Sequence, residues 1–557
     1  MLDPRARWVW LSTDYQPNEY VVFEDTFTYR AGEAILTLAA ETDYLLFVNG
    51  ERVSFGQFPG YPFVKYYDEL DLTPYCRAGE NHLSLTVRYE GVNSSTHIDD
   101  GAGVIFSLTA NENTVLYSGT HTPARYDHRY LQHQSRLITG QLGLTSGMAC
   151  GEHAACTPCV EVEKTYNLLP RPVDKTVLLP LVEGRPLAGT PHLYDLGQET
   201  AGYLTLTLTA SSAATVTVTY GEHLLDGHVR HLIHNRNFSL DFQVAEGTHT
   251  FEQFFVRVAC RYLQVIAPEG VTVERIGLLP ALYPVTEIPF SLGGVDKRIY
   301  DTAVRTLRLC MNTHYEDCPW REQALYVLDS RNQMLCGYKA FRETTFPREN
   351  LKFMAKGVRE DGLLELTYPA INTPAIPFFS LMFPVAVHEY TQHTGDPSVL
   401  QETFPVMQTI LAVFRDRINK EGLISSFEAP YWNFYEWSPG SADGSKDTGN
   451  RDYTHLILNC AYVYACHYFE RLCRRMNVVF ESRTDEVKEA VRRNFFDEKT
   501  GLFSLRSDRP ETCSQLGNAF ALLIGLGDER TVQAVKHPED TIPATLSMRS
   551  FVYDALL

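Results

Sequence analysis

The feature that most constrains this chain is a change of hydrophobic period near Pro289. Before it, apolar residues recur at every second position in short runs. After it, they recur at intervals of three and four to the last residue. A period of two marks strands with one covered face, and a period of 3.6 marks helices with one covered stripe. The two patterns do not mix, so the chain reads as β-rich and then helical, in series.

Between residues 20 and 110, VVFEDTFTY, AILTLAA, YLLFVNG, HLSLTVRYEG and GVIFSLTA read as strands. Asn49-Gly50 is a hairpin signal, and Pro74 and Gly79 break the chain. Many short antiparallel strands predict a β-sandwich. Tyr61, Phe63, Tyr66 and Tyr67 are expected to pack rather than bind sugar. Residues 120 to 170 are irregular. There Cys150, His153, Cys156 and Cys159 recur every three residues, a spacing of soft ligands that suits zinc. A second CxxC arm is missing, so the cluster reads as a reduced interdomain linker, and no metal is expected. From 171 to 285, YLTLTLTA, TVTVTYGEHL, FSLDFQVAEG, HTFEQFFV and CRYLQVIA alternate again. Glu199 and Glu222 in this block read as turn or edge residues.

Helices are expected at 295–314, 325–342, 347–358, 375–394, 397–418, 452–477, 482–496, 513–526 and 547–557. Two long loops between them, DGLLELTYPAINTP at 361–374 and SSFEAPYWNFYEWSPGSADG at 425–444, are rich in acids and rings. Such loops on a regular scaffold are where sites are usually mounted. Paired helices around an axis, an α/α barrel, fit this arrangement.

At 557 residues the chain has room for about three domains. A net charge of −19 without a basic cluster excludes nucleic acid and anionic membranes as partners, and suits a neutral ligand such as a sugar. No apolar run reaches the length of a membrane span, and the first twenty residues lack a signal-type apolar region. Cys310, Cys336, Cys460 and Cys466 sit in apolar helical stretches, as reduced thiols of a cytoplasmic protein do. A homodimer is compatible with the sequence.

The chemistry concentrates in Tyr315–Asp329, YEDCPWREQALYVLD. Pro319 suits the first turn of a helix. A helix running on from it would put Glu322, Tyr326 and Asp329 on one face, at i, i+4 and i+7. Carboxylates accept bonds from sugar hydroxyls, and rings stack on the C–H face of a pyranose. The plain alternative is a solvated helix start capped by Asp317.

With these segments in view, the chain resembles family 78 of the glycoside hydrolases, the bacterial α-L-rhamnosidases. The resemblance is carried by YLLFVNGERV and DLTPYCRAGENHLSL, then by YDLGQETAGYLTLTL, VTYGEHLLDGHV and CRYLQVIA, and most specifically by NTHYEDCPWREQALYVLD. It implies two N-terminal β-sandwich domains, 1–165 with a linker and 166–288, followed by a catalytic (α/α)6 barrel at 289–557. It also implies an inverting exo-glycosidase acting on terminal α-L-rhamnosyl residues, without a cofactor. By this resemblance Glu322 is the general acid. Asp317, Arg321 and Asp329 bind the sugar, with Arg321 facing Asp317 or the substrate. Tyr326 stands where the family has Trp, so the pocket depth differs. Trp432, Glu436 and Trp437 match an acidic–aromatic segment lining the pocket.

The family's general base, a Glu on a late barrel loop, has no match here. The chain is therefore expected to be a C-terminal truncation of an incomplete barrel with little hydrolysis of its own. Glu436 as a substitute base is the weaker option, with sugar binding preferred. A non-catalytic carbohydrate-binding relative and a glycoside phosphorylase are the competing functions. The phosphorylase would need a phosphate-holding loop, which the sequence does not display.

Overall fold

The computed structural model describes residues 2–151, 154–371, 374–442 and 453–557. The chain divides into two compact units, Met1–Pro284 with Leu292–Ala324, and Val285–Ser291 with Leu325–Leu557.

The first unit is mainly antiparallel sheet. Its N-terminal strands are β1 (Glu19–Tyr29), β2 (Ala34–Glu41), β3 (Asp43–Val48), β4 (Glu51–Phe55), β5 (Val64–Asp71), β6 (Gly79–Tyr89) and β7 (Gly103–Ala110). They form two sheets. One runs β1-β6-β3-β4 at its centre, the other β7-β2-β5. Val21, Phe23, Leu46 and Leu85 from the first and Leu36, Leu38 and Phe106 from the second meet in one core. Asn49 and Gly50 join β3 to β4 with φ of 52° and 81°. That double positive φ is what the hairpin signal requires and is why Asn-Gly stands there. Tyr61 and Tyr66 are buried, while Phe63 is exposed.

The second β block forms one nine-stranded sheet. Its long strands are β8 (Leu193–Ala210), β9 (Ala214–Gly221), β10 (Ser239–Val244), β11 (Gly247–Ile266) and β12 (Val271–Leu282), in the order β10-β9-β11-β8-β12. Leu206, Val218, Phe242 and Val258 lead its core, which also takes in Tyr20, Leu45 and Phe55 from the N-terminal strands. Helix α1 (Gly294–Leu309) follows the last long strand. It stops five residues short of the expected 314, because the Glu316 N–H turns back to the Cys310 carbonyl at 2.8 Å. Of the cysteine cluster, Cys150 is exposed and Cys159 buried, and His153 lies outside the described residues.

The second unit is helical: α2 (Val327–Ala340), α3 (Thr345–Ala355), α4 (Pro377–Thr394), α5 (Leu400–Arg415), α6 (Leu456–Met476), α7 (Thr484–Phe495), α8 (Gln515–Leu523), α9 (Glu529–Lys536) and α10 (Arg549–Leu556). The even-numbered helices pack in a row, each against the next. α4 and α6 are buried almost all round, whereas α7 and α9 bury a single stripe. Helices covered on every side lie inside, and amphipathic ones cover them. Arg331 ties the row together. Its guanidinium is buried, bonds Glu389 of α4 at 2.8 and 2.5 Å, and reaches Ser550 of α10 at 2.9 Å. α9 is absent from the expected helices. Its signal is the box in which Asp528 and Thr531 cap each other's backbone.

Candidate active site

The expected helix beginning at Pro319 does not form. Residues 319–322 make a turn, 323–326 have no regular structure, and α2 starts at Val327 with Tyr326 as its N-cap. Glu322, Tyr326 and Asp329 therefore do not share a helical face. The physical reason is Gln323, whose φ of +50° takes the chain out of the helical region. Its side-chain amide holds that conformation by donating to the Pro319 carbonyl at 2.7 Å and the Arg257 carbonyl at 3.2 Å. Asp317 closes the turn. Its N–H donates to the Ala324 carbonyl at 2.9 Å, and the Ala324 N–H donates to its Oδ1 at 3.0 Å. The helix-capping alternative for Asp317 fails for the same reason, since the residues after it are a turn.

The turn is bound to the sheet beneath it. Arg257 of β11 pairs with Glu316 at 2.6 Å and donates to the Leu309 carbonyl at 2.8 Å. Both side chains of that pair are nearly inaccessible, 5% and 1% exposed. Trp320 is buried against Phe238, with ring centroids 4.7 Å apart, and meets the His223 ring edge-on at 5.8 Å. Gly221 lies under it. A side chain there would start 3.3 Å from the indole, so the glycine serves close approach.

These constraints sort the acids of the segment. Glu316 is withdrawn from water, and Asp317 is half-buried. Burial pushes the Glu316 carboxyl up to about 7 against the pull of Arg257. Burial, with the nearby charge of Glu322, pushes Asp317 up to about 6 against the Ala324 N–H bond. Glu322 keeps 22% of its side chain exposed, and its Oε1 accepts from Arg236 Nη2 at 3.2 Å. Arg321 is exposed. Its charge tempers the rise of the Glu222 carboxyl.

Of the two residues read as turn or edge positions, Glu222 sits exposed in the bend after β9, whereas Glu199 lies half-buried within β8. Glu199 of β8 is pushed up to about 8, first by burial and then by the charge of Glu222. Arg305 of α1 donates to the Glu199 carbonyl. Nothing local in the sequence marks Arg236 as the partner of an acid 86 positions on.

The second unit holds the other candidates. Tyr326 and Asp329 stand at the head of α2. The 425–442 loop carries Trp432, Glu436 and Trp437. A row of rings connects Tyr326 to this loop: Tyr326 to Phe379 at 6.4 Å, Phe379 to Phe434 at 6.0 Å, and Phe434 to Trp432 and Trp437 at 5.0 and 4.9 Å. Trp437 is 71% exposed. Glu436 is buried, and its Oε2 accepts from the N–H and hydroxyl of Thr545 at 2.8 and 3.0 Å. Burial raises its carboxyl above the ordinary range, against those bonds. Among the described residues no cluster of His, Cys, Asp or Glu is placed to hold a metal, and no helix is long and apolar enough to cross a membrane.

Two family models match the chain. The bacterial alpha-L-rhamnosidase six-hairpin glycosidase domain matches residues 295–544, and the bacterial alpha-L-rhamnosidase concanavalin-like domain matches 186–276. Among solved structures, the chain is similar to a GH78 family rhamnosidase of Bacillus sp. GL1, with 16% identity, TM-score 0.88, and coverage of 99% of this chain and 84% of that one. It is also similar to an alpha-L-rhamnosidase from Dictyoglomus thermophilum, with 16% identity, TM-score 0.79 and coverage of 99% and 67%. A third is the Streptomyces avermitilis alpha-L-rhamnosidase complexed with L-rhamnose, with 15% identity, TM-score 0.74 and coverage of 93% and 52%. At these identities the likeness is one of fold. Curated proteins yield no match.

Proposed function

Because the chain belongs to the bacterial α-L-rhamnosidase family, glycoside hydrolase family 78, we propose that it hydrolyses terminal α-L-rhamnosyl residues with inversion at the anomeric carbon. In this reading 1–165 and 166–288 are β-sandwich domains, and 289–557 supplies helices of an (α/α)6 barrel. The observation that carries it is the sorting of acids in the matched segment. Glu316 is buried in its pair with Arg257, Asp317 is half-buried with its Oδ1 accepting from the Ala324 N–H, and Glu322 is half-buried in a pair with Arg236 that reaches solvent.

Glu322 gives its proton to the glycosidic oxygen as the bond from that oxygen to the anomeric carbon breaks. Water attacks the same carbon from the opposite face, which inverts the centre, and gives its proton to a second carboxylate, the general base, to which no residue of this chain is assigned. Asp317, Arg321, Tyr326 and Asp329 bind the sugar. The row of rings ending in Trp432 and Trp437 offers stacking faces for it. Glu436 is assigned to sugar binding rather than to water activation, with Oε2 held by Thr545.

The test uses the protein from its complete reading frame and a panel of aryl glycosides. An α-L-rhamnoside is expected to be cleaved, with β-L-rhamnose as the first product seen by NMR. Glu322→Gln is expected to lower turnover by about 10²–10⁴-fold on substrates with poor leaving groups. Turnover that requires phosphate would make the protein a phosphorylase. Binding of rhamnosides without turnover would make it a carbohydrate-binding protein.

A further inference from the structure

We propose that Arg236 is a positioning residue for the reaction, which holds the Glu322 carboxyl where a glycosidic oxygen can take its proton. The inference rests on the reading of Glu322 as the proton donor. It assigns a part in catalysis to an arm of the nine-stranded sheet, residues 222–237.

The arm leaves β9 at Gly221, folds into two short hairpins, Leu224–Leu225 with His228–Val229 and Leu232–Ile233 with Arg236–Asn237, and returns into β10 at Ser239. It meets the acidic turn at both of its ends. His223 at its start and Phe238 just after it close on Trp320. Arg236 near its end pairs with Glu322 at 3.2 Å. The Thr139 hydroxyl, on a neighbouring hairpin, bonds the Arg321 carbonyl at 3.5 Å. With Trp320 pinned, the backbone of residue 322 has little freedom, and the position of its carboxyl depends on what the long side chain touches.

The character of the pair distinguishes it from a structural bridge. Arg257 and Glu316, two turns of chain away, are shut off from water. Arg236 and Glu322 are 21% and 22% exposed. A bridge that reaches solvent adds little to stability, yet it is where a substrate oxygen can arrive. Proton transfer needs the donor within hydrogen-bond reach, and a misplacement of about 1 Å costs roughly 10²-fold. Arg236 makes a direct contact with this carboxyl.

The experiment compares Arg236→Gln, Arg236→Lys and Glu322→Gln with the wild-type enzyme on two α-L-rhamnosides. One has a dinitrophenyl leaving group, which departs without a proton. The other has an alkyl or sugar leaving group, which needs one. Arg236→Gln is expected to lower kcat on the second by about 10–10²-fold and to change turnover of the first little. Arg236→Lys should recover most of the loss, and thermal melting should be unchanged in both. Equal losses on both substrates, or none on either, would overturn the role of Arg236 while Glu322→Gln still showed the leaving-group signature. A Glu322→Gln enzyme without that signature, or a wild-type enzyme without turnover, would overturn the reading of Glu322 and this inference with it.

Discussion

The acidic turn at 316–323 and the aromatic loop at 425–442 are both irregular and both carry candidate site residues, yet different forces shape them. The turn is anchored by one buried ion pair, Arg257 with Glu316, and backed by the amide of Gln323, the Asp317–Ala324 bonds and the packing of Trp320. The loop spreads its support. Asn433 exchanges two bonds with the Phe427 backbone, at 3.0 and 2.9 Å. Tyr435 stacks on His455 at 3.9 Å, Trp432 N–H reaches the Ala375 carbonyl at 2.9 Å, and Glu436 accepts from Thr545. A charge-locked segment fails most steeply at its ion pair, because the survivor of a broken buried pair is left unsolvated. A segment held by several neutral bonds and ring contacts loses them one at a time.

The sharpest way to break this contrast is Arg257→Met. It is expected to cost the first unit about 3–5 kcal/mol, read as a lower urea midpoint. Adding Glu316→Leu should return most of that stability, because an apolar pair replaces a lone buried carboxyl. A loss under about 1 kcal/mol from Arg257→Met would mean the pair does not lock the turn.

A smaller effect is expected from Asn433→Ala, about 1–3 kcal/mol for two orphaned backbone groups. It should show as faster hydrogen exchange at the Phe427 amide, with exchange in α4 unchanged. Exchange that speeds up throughout the helical unit would make the loop as cooperative as the turn.

The smallest is a pH effect at Glu199. Its carboxyl is raised from an ordinary 4.5 to about 8, so the folded state holds the proton more tightly than the unfolded state. Its contribution is therefore full below about 4.5 and is lost as pH rises through about 8. Glu199→Gln should flatten the melting temperature of the first unit between those limits, by on the order of 1 kcal/mol once partial exposure is allowed for. An unchanged slope would remove Glu199 from the charge balance beneath the arm.

The sequence made the β-then-helical order readable because burial imposes its period on many residues at once. The Asn49-Gly50 hairpin was readable because its φ values need those residue types. At the site, chemistry was legible and shape was not. Acids, arginine and rings in DCPWRE could be read by kind, and a proline followed by periodic residues pointed to a helix. What overrode it was Gln323 bonding to Arg257, 66 positions away. Arg236 was illegible for the same cause, since its meaning depends on where the arm folds. Helix α9 was different. Its capping pair is local, and Asp528 with Thr531 was there to be found.

The carbonyl of Arg257, in β11, and the ring of Phe238, just before β10, act as a mould for the turn, and both lie far upstream of it. Cutting this gene where the strands give way to helices would yield a polypeptide that spells the proton donor correctly and casts it wrongly. Chimaeras between relatives should therefore exchange 186–324 as one cassette, moving template and imprint together.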